Sequence, residues 1–170
     1  MILGFLLFYV GAVLFLNGLW LMGRIQDREI VVINVVSGLV AGAVVVQGAF
    51  GAAADAGSIR AAALTLLFAT TYFWVAYNRF AGVDGRGLGW FSLFVAISTV
   101  PVIYTGLSAA ATGRDVWLAG NWLVWGILWF MYFLLLALGK PILKQTAWVT
   151  LLAGIFTGWL PGWLLLDGLM

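Results

Sequence analysis

The chain has 170 residues, of which 65% are hydrophobic and 8% are charged, and its mean hydropathy is +1.13. It contains no cysteine and no histidine, which excludes disulfides, thiolate metal sites and imidazole catalysis. The formal net charge is +2 and the basic residues are scattered, so the sequence does not predict nucleic-acid binding. We expect no metal site and no cofactor.

The charged residues fall in short clusters, and six nearly charge-free apolar runs lie between these clusters. Each run has about 18 residues or more, the length at which a helix crosses the roughly 30 Å hydrocarbon layer of a bilayer. Because helices satisfy their backbone amides within one segment, the runs predict an all-α membrane protein with six spans. The runs are Met1 to Gly23, Ile30 to Ala54, Ala61 to Asn78, Gly87 to Gly113, Val116 to Gly139 and Gln145 to Leu166.

The distribution of basic residues between the loops predicts an orientation. The loops after the first, third and fifth spans carry Arg24, Arg28, Arg79, Arg86, Lys140 and Lys144. The loops after the second and fourth spans carry only Arg60 and Arg114. An excess of Lys and Arg marks cytoplasmic loops, so we expect both termini on the opposite, outer side of the membrane.

Short connections predict that successive helices form three antiparallel hairpins, of spans 1 and 2, 3 and 4, and 5 and 6, and that residues 1–170 make a single six-helix domain. Glycines recur every seven residues in the first run and every four in the last. They are Gly4, Gly11 and Gly18, and Gly154, Gly158 and Gly162. Because small residues let membrane helices approach closely, we interpret them as packing ridges, with a place in a pore wall as the alternative.

Catalytic side chains are missing from the predicted membrane interior. The acidic residues all lie near span ends; they are Asp27, Glu29, Asp55, Asp84, Asp115 and Asp167. No pair is placed for acid–base chemistry within the membrane, so we do not expect an enzyme. The span interiors also lack the ionisable residues that usually carry ion coupling, which favours a passive path for an uncharged solute. Sodium coupling through backbone carbonyls stays open.

The fifth run carries an aromatic stripe at offsets 0, 3, 7 and 11, which lies within about 80° on one helix face. The stripe consists of Trp122, Trp125, Trp129 and Phe133. Tryptophan in membrane proteins usually lies at the interface, as we expect for Trp117, Trp148 and Trp163. Trp125 and Trp129 instead lie well inside their span.

Two further stripes match the aromatic one. Phe68 and Tyr72 share a face of the third run at i, i+4. The first run carries another stripe, formed by Leu3, Leu7, Val10, Leu14 and Asn17. The stripes are consistent with the wall of a narrow tube and equally with core packing. Asn17, Asn34 and Asn78 are interpreted as hydrogen-bonding contacts between helices.

Five segments carry patterns of a known family. They are LLFYVGAVLFLNGLW (residues 6–20), LLFATTYFWVAYN (66–78), GWFSLFVAISTVP (89–101), WLVWGILW (122–129) and TGWLPGWLLL (157–166). In these segments the chain resembles the UreI/AmiS family of urea and amide channels, which are bacterial inner-membrane proteins. The patterns SLFVAI-TVP and W--WG-LW are the most specific, and the resemblance covers five of the six spans.

The resemblance implies a six-helix protomer in a homohexameric ring, with one pore in each protomer and lipid in the centre of the ring. It also implies two constrictions that select the solute. One would consist of Trp125, Leu128, Trp129, Tyr72 and Leu14. The other would consist of Trp122, Phe68, Val10, Leu7 and Leu3.

The chain departs from the family pattern at two places. The outer loops AAADAGSIR and TGRDV are short and lack the histidines of acid-gated urea channels, so we predict no opening switch near pH 6. Family members commonly carry a glutamate before the glycine of the sixth span, where this chain has Ala153 before Gly154. A mechanism that needs this buried carboxylate is therefore in doubt.

The leading hypothesis is a passive channel for urea or short-chain aliphatic amides such as acetamide, selecting small planar neutral solutes without acid gating. The sequence does not separate urea from acetamide. One alternative is an ion-coupled amide transporter, which would need an ion gradient for uptake. Another is an accessory or structural membrane subunit, whose glycine ridges would dock it onto a larger complex and which would conduct nothing alone.

Overall fold

A computed structural model describes all residues 1–170 and contains six helices and no strand. The helices are α1 (Ile2–Leu21), α2 (Ile30–Phe50), α3 (Ala56–Ala81), α4 (Arg86–Ser108), α5 (Gly113–Ala137) and α6 (Leu143–Leu166). All six are long and apolar enough to cross a membrane, which confirms the prediction of six spans. The last turn of α5, Phe133–Ala137, and the middle of α6, Gly154–Trp159, are π-helical.

Helix α3 begins at Ala56, earlier than the apolar run that starts at Ala61. Asp55 caps it, because its carboxylate accepts a hydrogen bond from the Ser58 N–H at 2.7 Å while the Ser58 hydroxyl accepts one from the Asp55 N–H at 2.9 Å. The expectation that Arg60 lies in a loop is therefore wrong, since it belongs to the beginning of α3.

Helix α5 shows the same effect, beginning at Gly113 rather than at Val116. Thr112 and Asp115 form a reciprocal capping box, with N–H to side-chain distances of 3.2 Å and 3.0 Å. Arg114, predicted in a loop, lies in the first turn of this helix. The same correction applies to three more residues predicted in loops, which lie in the end turns of α3, α4 and α6: Arg79, Arg86 and Lys144. Hydropathy misses such turns because caps are polar and extend a helix beyond its apolar part.

Two helices end before their apolar runs do. The second run reaches Ala54, but α2 ends at Phe50 and Gly51 is already extended. The fourth run reaches Gly113, but α4 ends at Ser108. Hydropathy reports which residues tolerate lipid and carries no information about where the backbone hydrogen bonds stop.

Glycines set the closest helix contact, which is between α1 and α6. A Cβ atom added at Gly158 would overlap the backbone of Gly11. A Cβ atom at Gly18 would lie 2.6 Å from the Cβ of Leu151, and one at Gly162 would lie 2.5 Å from the Phe8 nitrogen. The two glycine series are therefore packing ridges, as predicted.

Glycines also mark the other close pairs, α2 with α3 and α4 with α5. An added Cβ at Gly38 would lie 2.9 Å from the ring of Phe73, and one at Gly126 would lie 2.5 Å from the Thr99 hydroxyl. Successive helices run antiparallel, as predicted. The tightest packing, however, joins α2–α3, α4–α5 and α1–α6, whereas α3 and α4 touch only slightly.

The two ends of the bundle carry different loops. The terminal end carries both chain termini and the loops 51–55 and 109–112, and the loop end carries the loops 22–29, 82–85 and 138–142. At the loop end, Asp27 accepts a hydrogen bond from the Trp20 indole at 2.7 Å and lies 3.6 Å from Arg79. This cluster ties the first loop to the end of α3.

Candidate functional site

Two cavities follow one another along the inside of the bundle. The terminal vestibule is about 640 Å³ in volume and lies at the terminal end, where Leu3, Arg60, Ala109 and Asp115 line it. The inner chamber is about 30 Å³ in volume, room for about two water molecules. Its wall consists of Leu14, Asn17, Phe68, Thr71, Tyr72, Val75, Leu88, Ser92, Trp125, Leu128, Trp129 and Tyr132.

The structure brings both sets of sequence-predicted residues together. Leu14, Tyr72, Trp125, Leu128 and Trp129, the first set, all line the inner chamber. Leu3, Leu7, Val10, Phe68 and Trp122, the second set, all line the terminal vestibule. Leu3 is 43% exposed at the start of α1. Phe133, the last member of the aromatic stripe, lines neither cavity and instead packs on Trp90 with ring centroids 5.2 Å apart.

Phe68 lies at the boundary between the two cavities and lines both of them. Its ring makes edge-to-face contacts with three tryptophans, at centroid distances of 4.7 Å to Trp129, 4.9 Å to Trp125 and 5.8 Å to Trp122. Edge-to-face pairs of this kind add about 0.5–1.5 kcal/mol each beyond area burial. The aromatic cluster therefore separates the vestibule from the chamber.

Threonine hydroxyls hold the two deep indoles in place. The Trp125 Nε1–H donates to Thr157 Oγ1 at 2.8 Å, and the Trp129 Nε1–H donates to Thr71 Oγ1 at 3.2 Å. The two hydroxyls donate in turn to carbonyls of their own helices, at 2.6 Å and 2.7 Å. Both indoles are 6% exposed, so each N–H needs such an acceptor.

The π-helical segment of α6 offers backbone acceptors to α5. Asn121 donates to the carbonyl of Thr157 at 3.1 Å, and Trp117 donates to that of Phe156, also at 3.1 Å. A π-helical turn shifts the hydrogen-bond register and leaves carbonyls available to neighbours. Ala153 is buried against the aromatic cluster, and its carbonyl accepts a hydrogen bond from the Thr157 hydroxyl.

Asn17 and Asn34 form a reciprocal pair between α1 and α2 beside the chamber. The two side-chain amides exchange hydrogen bonds of 3.1 Å and 2.7 Å, and Asn34 also donates to the carbonyl of Ile30 at 2.9 Å. Both side chains are buried. The pair is a contact between helices, as predicted for Asn17 and Asn34.

One polar atom in the chamber wall lacks a partner. The Tyr72 hydroxyl is buried and makes no hydrogen bond with the protein. By contrast, the Tyr132 hydroxyl is 3.1 Å from Thr150 Oγ1, and Ser92 donates to the carbonyl of Leu88 at 2.8 Å. Buried polar groups are nearly always paired, so the free hydroxyl is an exception that calls for a cause.

Of the two cavities, only the vestibule is lined by charged side chains. None of the residues that line the inner chamber is charged. The vestibule contains Arg60 and Asp115, and the Arg60 guanidinium lies 3.5 Å from the Thr105 hydroxyl. The structure contains no group of three or more acidic residues placed to hold a metal ion. An ion entering the chamber would lose its hydration shell without replacement, at a cost of several kcal/mol or more.

Sequence reasoning missed the threonines that hold the indoles. Thr71 and Thr157 are isolated hydroxyls within apolar helices, and each is paired with a tryptophan of α5. The signal that could have found them is the requirement that every buried indole N–H has an acceptor. The pairing itself depends on which helices are neighbours, and this was not visible in the sequence.

Comparison with known proteins gives one consistent result. The model of a protein family described as AmiS/UreI family transporter matches residues 2–169 of the chain. A protein of Mycolicibacterium smegmatis named amidate substrates transporter protein is 42% identical over 166 residues, covering 95% of this chain and 75% of that protein. The acid-activated urea channel of Helicobacter pylori is 35% identical over 188 aligned positions, covering 96% of each chain.

Solved structures agree with these relatives. The crystal structure of the urea channel from the human gastric pathogen Helicobacter pylori superposes with a TM-score of 0.85, at 34% identity and 98% coverage of each chain. The cryo-EM structure of the Helicobacter pylori urea channel in its closed state gives a TM-score of 0.84 at 33% identity, with 97% coverage of each chain. The fold described above is therefore shared along nearly the whole chain.

Proposed function

Since the chain belongs to the AmiS/UreI family of transporters, we propose that it is a passive channel for urea or short-chain aliphatic amides in the bacterial inner membrane. The observation that carries the proposal is the inner chamber, which has no charged side chain and is walled by Trp125, Trp129, Phe68 and Tyr72. The relatives of the chain are channels and transporters, so the proposed activity is transport rather than catalysis.

A small planar amide fits this chemistry. Its flat faces can lie against aromatic rings, while its N–H and C=O edges need only a few polar contacts to replace water. An ion gains no such replacement and is excluded by desolvation. Weak contacts also suit conduction, because a solute must leave the site as readily as it enters.

The two predicted residue sets act as successive constrictions in this proposal. A solute that enters from the terminal end meets the vestibule residues around Trp122 and Phe68 before it meets the chamber residues around Trp125, Trp129 and Tyr72. The small chamber volume supports this division, because a solute larger than water must displace side chains to pass.

The channel is proposed to be insensitive to mild acid. Its relative from Helicobacter pylori is named an acid-activated urea channel. This chain has no histidine at all, and histidine is the side chain that ordinarily titrates between pH 5 and 8. A switch near pH 6 would therefore lack its usual titrating group.

Orientation and assembly complete the proposal. The loop end of the bundle, where Lys and Arg residues are concentrated at the loops and the adjoining helix ends, faces the cytoplasm, so both termini and the terminal vestibule face the outside. These residues are Arg24, Arg28, Arg79, Arg86, Lys140 and Lys144. The protomers assemble as a homohexamer, as the family resemblance implies. The many large apolar side chains exposed on the bundle, such as Phe94 and Tyr104, are then covered by lipid or by neighbouring protomers.

Stopped-flow light scattering on proteoliposomes tests the function. Vesicles containing the protein should re-swell under a urea or acetamide gradient far faster than empty vesicles, with no pH or sodium gradient present. Rates equal to those of empty vesicles, both without and with an imposed ion gradient, would remove the channel proposal and leave an accessory subunit. Uptake that stops when ionophores dissipate the ion gradients would show a coupled transporter instead.

A further inference from the structure

Asn121 lies on the face of α5 that lines the cavities. Four residues of α5 at offsets 0, 4, 7 and 11 share this face within about 60°, and they are Asn121, Trp125, Leu128 and Tyr132. The last three line the inner chamber, whereas Asn121 lines the terminal vestibule, one helical turn before Trp125. A solute that leaves the vestibule for the aromatic cluster therefore passes this polar side chain.

The side-chain amide of Asn121 uses its nitrogen within the protein and leaves its oxygen free. The nitrogen donates to the carbonyl of Thr157 at 3.1 Å. Because a carbonyl can only accept, this contact fixes which way the amide points. The oxygen Oδ1 accepts no hydrogen bond from the protein, although the residue is only 2% exposed. Such an oxygen depends on the contents of the vestibule for a partner.

The free oxygen of Asn121 is open rather than sealed. The one unpaired polar side-chain atom that the protein encloses completely is the Tyr72 hydroxyl, so Oδ1 of Asn121 keeps an open face. The cavity that Asn121 lines is the vestibule, and a solute there can reach the oxygen with an N–H group. Thr157 also accepts the hydrogen bond of the Trp125 indole, so the oxygen has a fixed position relative to that ring.

We propose that Oδ1 of Asn121 accepts a hydrogen bond from an N–H of the permeant at the inner end of the vestibule, and so favours urea and primary amides over solutes that lack an N–H. The proposal rests on the channel function above. A solute that enters between the rings gives up hydrogen bonds to water, and each N–H left without an acceptor raises the barrier. The amide oxygen replaces one lost bond at this point. It carries no formal charge, so the solute is not held too tightly to leave.

The test compares acetamide and dimethyl sulfoxide flux into proteoliposomes, after subtraction of the flux into empty vesicles. Both solutes are neutral, carry a strong oxygen acceptor and have the same number of non-hydrogen atoms, but only acetamide has an N–H. Asn121→Leu removes the acceptor, and we expect the acetamide-to-dimethyl sulfoxide ratio to fall about 2- to 10-fold, the effect of one ordinary hydrogen bond. Asn121→Ala is the second variant. It should lower the ratio in the same way and serves if the leucine variant does not fold.

Trp117→Phe is the matched control, because Asn121→Leu also removes a hydrogen bond between α5 and α6. Trp117 donates from the same helix to the neighbouring carbonyl of Phe156, also at 3.1 Å, and lines neither cavity. Its solute ratio should equal that of the wild type, while its unfolding temperature in detergent falls as that of Asn121→Leu does. An equal fall of the ratio in both variants would show that the contact between the helices sets it, and would overturn the proposal.

An unchanged ratio in Asn121→Leu or Asn121→Ala would overturn the proposal as well. So would a wild type that conducts the two solutes at equal rates, a measurement that needs no variant. Both results leave the channel function intact as long as acetamide enters faster than it enters empty vesicles. If the wild type conducts neither acetamide nor urea, the channel function itself fails, so the two failures are distinguishable.

Discussion

At the scale of single residues, the direction of each threonine hydrogen bond explains how the deep indoles are held. Thr157 and Thr71 each use their one proton on a carbonyl of their own helix, which leaves the oxygen as an acceptor for Trp125 or Trp129. The acceptor is neutral in both cases. The deep indoles are therefore held without a charged partner.

Thr157→Val should loosen the filter, because valine keeps the shape but removes the acceptor of the Trp125 N–H. An unpaired buried donor costs about 1–3 kcal/mol, so both the unfolding temperature and the urea-to-glycerol selectivity should fall. Thr157→Ser restores the hydroxyl and should restore both. Thr146→Val is the matched control, since the Thr146 hydroxyl bonds only to the carbonyl of Ile142 at 2.9 Å. Wild-type selectivity in Thr157→Val would contradict the positioning role.

Trp129→Ala should widen the inner chamber and admit solutes that are bulkier than urea. Truncating a buried tryptophan costs about 3–5 kcal/mol of stability, so the variant should also unfold at a lower temperature. The measurement is glycerol and urea flux in proteoliposomes, with glycerol rising relative to urea. Trp148→Ala is the control, because Trp148 is 51% exposed on α6 and lines neither cavity. An unchanged solute profile in Trp129→Ala would argue against the assigned constriction.

The sequence predicts most of the candidate site at this scale because helical spacing alone places side chains on one face. The helical spacing puts Trp125 and Trp129 on one face, and it does the same for Leu7, Val10 and Leu14. In the structure all five side chains line a cavity. The roles of these residues in selection stay a prediction. The partners of the polar atoms were not predictable, since a hydrogen bond between helices depends on their rotation and register.

At the scale of the helices, α1 and α6 form the most closely approaching pair. Gly11 lies against the backbone of Gly158 and Trp159, inside the π-helical segment Gly154–Trp159. Helix α1 also contributes aliphatic side chains to the walls of both cavities. The small residues thus fix the distance between these side chains and the segment of α6 that holds Trp125.

Gly158→Ala should destabilise the bundle and reduce urea flux together. Its new methyl group would overlap the backbone of Gly11, and backbone cannot rotate away as a side chain can. Overpacking of this kind costs about 1–3 kcal/mol, measurable as a lower unfolding temperature in detergent.

Gly42→Ala is the matched control for this change, because a Cβ there meets nothing within 4 Å. It should leave flux unchanged and stabilise α2 by about 0.4–1 kcal/mol through the lower entropy of the unfolded chain. A Gly158→Ala variant as stable as the wild type would show that α1 and α6 can move apart freely.

The existence of six helices was predictable because a run of apolar residues long enough to cross a bilayer has few other structures available. Their ends were less accessible, as the capping boxes at Asp55 and Thr112 show. The choice of partners was also hidden, since short loops make neighbours of α1 and α2 in sequence while glycines bring α1 closest to α6.

At the scale of the whole molecule, charge lies at the two ends and is absent from the chamber between them. In the loop that precedes α3, the hydrogen bonds from Ser58 hold the pKa of Asp55 below its ordinary value of 3.8. At the opposite end, hydrogen bonds from Arg86 lower the pKa of Asp84. Both carboxylates therefore stay ionised under mildly acidic conditions.

Urea flux should accordingly be the same at pH 5 and pH 8, measured in proteoliposomes with equal pH on both sides. A lowered pKa means that the capping contribution of Asp55 is complete above pH 3.8 and is lost only as the pH falls through the still lower pKa of the folded state. Loss of stability with acid should therefore begin below about pH 4. A several-fold change in flux centred near pH 6 would contradict the absence of acid gating.

The architecture at this scale followed from composition, because hydropathy predicts a bundle of membrane helices without reference to any motif. The two cavities did not follow in the same way, since a volume exists only once all six helices have their final tilt and rotation. Only the family resemblance pointed to two successive constrictions rather than one.

The uncharged wall of the inner chamber has a consequence for the supply of the solute to a cell that carries this protein. In the passive channel proposed above, the solute moves equally well in both directions and cannot be concentrated. Net entry then depends on a sink, an internal reaction that keeps the free solute scarce. When that reaction stops, solute inside the cell leaves through the same channel.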